Sequence, residues 1–146
     1  LWTIAAEWKV RLLALIVLAN MVLTLRLYIV MSKERTKAAR EGRVTADTYR
    51  ATQNEPEDVA VFNRAVANQF ESPVLFYALI AMSLALGVSS WLTVVLAALY
   101  VGVRWMHANE MIGDHVVLKR RKLFIHSIQV LMVLMVEFAL SVLLRV

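Results

Sequence analysis

Long apolar runs alternate with short polar connections along the chain. Residues 12–31 are apolar apart from a few polar positions, chiefly Asn20 and Arg26. About 20 apolar residues cross a hydrocarbon layer of about 30 Å, so this run predicts a membrane-spanning helix. Lys33 to Arg43 extends it towards residue 40, and Gly42 supplies a stop. Asn54-Glu-Pro-Glu-Asp58 then reads as a helix start. Proline fits a first turn, and acids there complement the helix dipole. The second helix is expected over about 57–87, polar in its first third and apolar from Val74 onward, with a kink at Pro73 just past Glu71. Gly87-Val-Ser-Ser90 is a short uncharged turn. A third helix is expected over 91–112 and a fourth over 121–145, separated by the basic Lys119-Arg-Arg-Lys122. Trp2, Trp8 and Lys9 suit an interfacial anchor before the first span. The pattern predicts one all-α domain, an integral membrane four-helix bundle.

Composition sharpens this reading. Of 146 residues, 60% are hydrophobic, with a mean hydropathy of +0.64. Four glycines and two prolines favour long helices over strands and turns. There is no cysteine, which excludes disulfides, a thiolate nucleophile and cysteine metal sites. The net charge of +5 resides mostly in the connections, which fits membrane topology and anionic lipid better than nucleic acid. Six basic residues precede helix two and four precede helix four, while the turn between helices two and three has none. Both basic loops are therefore expected to be cytoplasmic. His107 and His126 lack further ligands at metal spacing, so no metal site is expected. Glu137 is expected to make an interhelical contact or reach an interface.

The candidate chemistry begins in helix two. At about 100° per residue, Arg64, Asn68 and Glu71 form one polar stripe roughly 10 Å long. Ionisable groups in a membrane span usually face a bundle interior or a cavity. The stripe either glues helices together or lines a pocket. In an up-and-down topology Arg26, Arg104, His107, Arg120, Arg121 and His126 fall at the same level. Arginines outnumber carboxylates there, which suits an anion with carboxylate or phosphate groups. Glu71 is expected to pair with Arg26.

Asn63-Arg64-Ala-Val-Ala-Asn68-Gln-Phe-Glu71, followed by Pro73, resembles the signature of the MAPEG family, the membrane-associated proteins of eicosanoid and glutathione metabolism, with the bacterial branch closest. Arg104 with His107, Arg26 and Arg120 are similar to the family's residues in the other helices. The resemblance implies a homotrimer in a bacterial cell membrane that holds glutathione between protomers. Arg26, Arg64, Asn68, Glu71 and Arg104 would bind the tripeptide. Arg120, or Arg121 on a shifted alignment, would favour its thiolate for attack on a lipophilic electrophile or hydroperoxide. Met111 and Phe124, or Ile125 on the shifted alignment, stand where the family's glutathione enzymes usually carry tyrosine, removing two hydroxyl donors. Two functions follow: a glutathione-dependent transferase or peroxidase, and a non-enzymatic lipid-binding trimer or accessory subunit of a larger membrane complex.

Overall fold

In a computed structural model describing residues 2–51, 53–113 and 117–144, every regular element is helical. The helices are α1 (Trp2–Arg40), α2 (Ala46–Ala51), α3 (Glu57–Ala67), α4 (Ser72–Ala85), α5 (Trp91–Ile112) and α6 (Val117–Leu143), with a 3-10 turn, Asn68–Phe70, between α3 and α4. Three helical segments are long and apolar enough to cross a membrane: Ala6–Arg40, Trp91–Ile112 and Val117–Leu143. Their outward faces carry Leu15, Leu18, Leu25 and Ile29 of α1, Leu99 and Met106 of α5, and Met132, Val136 and Leu140 of α6, all exposed. Leaving this much apolar surface open suits hydrocarbon rather than water.

The expected second span is divided. Helix α3 has 11 residues and α4 has 14, so α4 alone reaches only about 21 Å at 1.5 Å per residue. The break precedes Pro73 because a proline ring inside a helix clashes with the carbonyl four residues earlier, here that of Gln69. Asn68 closes α3, and Glu71 turns the chain with φ −98° and ψ −107°. Proline then sits in the first turn of α4, where its missing N–H costs nothing. A continuous helix with a kink is therefore replaced by two helices with a turn between them. The first and last helices also start earlier than the apolar runs suggest, at Trp2 and Val117.

Helices α5 and α6 make the largest contact, and α1 packs on α3 and α5. The main core joins Leu13 of α1, Phe76 and Ile80 of α4, Ala97 and Tyr100 of α5, and Leu131 and Leu134 of α6. A second cluster joins Leu23 and Leu27 to Ala65, Val66, Ala108 and Met111. Polar ties fix the order of the ends. Lys9 Nζ donates to the Ser89 carbonyl at 3.0 Å, placing the start of α1 beside the α4–α5 turn. Glu137 Oε1 accepts from Ser90 Oγ at 2.7 Å and Thr93 Oγ1 at 2.9 Å, bringing the far end of α6 to the same place. Glu137 is thus an interhelical contact. The two basic stretches consequently share the opposite end of the bundle.

Candidate functional site

The break between α3 and α4 generates the first feature of the site. In a continuous helix the Asn68 carbonyl would accept from residue 72. Here it is free for Arg104, whose Nη2 donates to it at 2.9 Å. Arg104 is 0% exposed, and its Nε and Nη1 find no hydrogen-bond partner among the described residues. A buried guanidinium with idle donors is costly unless an acceptor is supplied. Glu71 lies within electrostatic range of it but makes no ion pair with it. The neighbouring His107 is buried, and its Nδ1 is also without a partner among the described residues.

Beside Asn68, whose carbonyl Arg104 holds, an open cavity of about 390 Å³ lies between α3, α5 and α6. Arg64, Asn68, His107 and Met111 line one side, and Val117, Arg120, Arg121 and Phe124 the other. Asn68 Nδ2 donates to the Arg64 carbonyl at 3.0 Å and lies 3.4 Å from Met111 Sδ. The His107 and Phe124 rings are 5.8 Å apart. A second hollow of about 350 Å³ shares Arg64, Val117 and Arg120 and adds Glu57, Asp58 and Val61. Arg64 is held there by Glu57, Nη2 to Oε1, at 2.5 Å. The combined groove presents three arginines, one amide and two carboxylates against an apolar wall.

The predicted residues divide accordingly. Arg64, Asn68 and Arg120 meet at the cavity; Arg104 does not line it but is joined to it through the Asn68 carbonyl. Arg26 and Glu71 do not line it. Arg26 Nη1 donates to Asn109 Oδ1 at 2.6 Å, and its guanidinium lies 5.7 Å from the centre of the Trp105 ring. That replaces the expected Arg26–Glu71 pair, because the turn before Pro73 takes Glu71 out of helical register. Glu57 was legible only as a helix-start acid, although its seven-residue step to Arg64 returns to the same helix face. Met111 and Phe124 both line the cavity, so the two positions where the resemblance implies tyrosine belong to the wall of the pocket itself. Among the described residues no cluster of three or more acidic, histidine or cysteine side chains could hold a metal ion.

Three membrane-capable helices in an all-helical chain define an integral membrane protein, with an arginine-lined cavity between α3, α5 and α6. Residues 13–140 match the MAPEG family, and the chain belongs to that family. Comparison with curated proteins and with solved structures gave no match to either.

Proposed function

We propose that the protein is a glutathione-dependent transferase or peroxidase acting on lipophilic electrophiles within the bilayer. One observation carries the reading: the groove that joins Arg64, Asn68 and Arg120, with the buried Arg104 tied to it through the Asn68 carbonyl. Glutathione has two carboxylates, one ammonium and one thiol. The arginines suit the carboxylates, and Glu57 or Asp58 in the adjoining hollow suits the ammonium. Arg120 is the residue assigned to the thiol. A free thiol has a pKa of about 8.5, and a neighbouring guanidinium favours the thiolate. The thiolate displaces a leaving group from an electrophile. With a hydroperoxide, two glutathiones yield the disulfide, the alcohol and water.

In this reading the protein is a homotrimer, the α3–α4 path serves as a fourth crossing, and both basic stretches are cytoplasmic. Arg26 and Glu71, away from the cavity of their own protomer, would serve a ligand held across a protomer boundary. Turnover of an aryl halide or a lipid hydroperoxide by the reconstituted protein tests the proposal. Arg120→Ala is expected to abolish turnover and leave the oligomer intact. Unchanged turnover in that variant contradicts the assignment.

Met111 and Phe124 favour a second reading, in which the cavity holds the anionic head of a lipid and its apolar wall holds the chain. Phe124→Tyr separates the two, since an added hydroxyl should strengthen glutathione binding and weaken retention of a lipid.

A further inference from the structure

The basic connection after the first span is not a uniform charged surface. Its arginines and lysines separate into two sets. Arg35 Nε donates to Glu55 Oε1 at 2.9 Å and its guanidinium lies over the Tyr49 ring, so its charge is used within the protein. Arg43 is held by Glu41 and Asp58, each at 2.8 Å. Lys33, Lys37 and Arg40 have no carboxylate partner among the described residues and are exposed.

These three share one face of α1. Steps of four and seven residues return to nearly the same side, whereas Arg35 is about 200° from Lys33. With Ser32, Thr36 and Glu41 they line an open hollow of about 530 Å³. The only carboxylate in that lining is Glu41, which Arg43 already engages. The hollow therefore presents unneutralised positive charge beside two hydroxyl-bearing side chains.

Its position relative to the bilayer follows from the helix. Apolar residues end at Met31, and α1 continues unbroken to Arg40. At 1.5 Å per residue, Lys33 is about 3 Å, Lys37 about 9 Å and Arg40 about 13 Å beyond the apolar edge. A headgroup layer is several ångströms thick on each side, and long basic side chains reach back towards it. We propose that the face formed by Lys33, Lys37 and Arg40 is a docking surface for the phosphate headgroups of anionic phospholipid, separate from the arginine cavity between α3, α5 and α6.

The test is the association of spin-labelled phosphatidylglycerol and phosphatidylcholine with the full chain reconstituted in mixed vesicles. The wild type should restrict phosphatidylglycerol preferentially, and raised salt should weaken the preference. Lys33→Gln/Lys37→Gln/Arg40→Gln should reduce it by at least about fivefold, the contribution of a single cation near an anionic surface. Lys33→Arg/Lys37→Arg/Arg40→Lys should retain it. Equal association of both lipids with the wild type, or an unchanged preference in the glutamine variant, overturns the proposal. Full suppression of the preference by millimolar inorganic phosphate at constant ionic strength would also overturn it, assigning the face to a free anion. If the triple variant fails to fold, Lys37→Gln alone, at an exposed helix position, makes the same comparison: a reduced preference for phosphatidylglycerol supports the proposal and an unchanged one overturns it.

Discussion

Arg64 and Arg104 illustrate two ways of keeping an arginine available near a membrane. Arg64 is half exposed and held by Glu57, whose own side chain is 81% exposed. Such pairs contribute roughly 0.2–1 kcal/mol, so a ligand carboxylate can replace Glu57 at little cost. Glu57→Gln should therefore tighten binding of a simple dicarboxylate by up to about fivefold, measured by competition against a fluorescent anion. Weaker binding would mean that Glu57 holds Arg64 in its working position. Arg104 is instead fixed by burial and by the Asn68 carbonyl. The arginine, asparagine and glutamate of the motif were visible as residue types. Their division into cavity-lining Arg64 and Asn68 and outlying Glu71 was not, because helical periodicity assumes a helix that continues.

At the scale of elements, Pro73 was the legible signal and the length of its effect was not. A proline marks where a helix is disturbed, but the disturbance falls on the preceding turn, here residues 68–71. Helix α2 was not foreseen, being six residues with none buried. Elements are also joined by specific polar ties. Glu137 gathers the Ser90 and Thr93 hydroxyls at the start of α5 and the Ser141 hydroxyl one turn further along α6. Glu137→Leu leaves those groups without their acceptor and should destabilise the fold by about 1–3 kcal/mol in thermal unfolding. Glu137→Gln keeps an oxygen acceptor and should cost less. At the other end, Arg43 ties the loop after α1 to the first turn of α3. Its hydrogen bond holds the Asp58 carboxyl below the usual carboxylate range. The contribution of this tie is complete above the unfolded pKa of about 3.9 and is lost as pH falls through the lower folded value. Proteolysis of the connection between α1 and α3 should accelerate in that acid range, and Asp58→Asn should remove this component of the acceleration.

For the whole molecule, apolar run length predicted four crossings, of which three are single helices long and apolar enough to span a membrane, and charge distribution foretold that the basic stretches lie together. The α3–α4 path is the part that run length alone misjudged, because its total span is adequate while neither helix is. Topology can be tested directly because the chain has no cysteine. Single cysteines replacing Arg50 and Arg121 should react with an impermeant thiol reagent from the same side of the membrane, and one replacing Ser89 from the other. Labelling of all three from one side would contradict the crossing order. The central claim concerns the arginine-lined groove, and calorimetric titration of glutathione into detergent-purified protein tests it most directly. The account predicts saturable micromolar to millimolar binding in the wild type, strongly weakened in Arg64→Gln. Binding that is absent in the wild type, or unaltered in the variant, would contradict it.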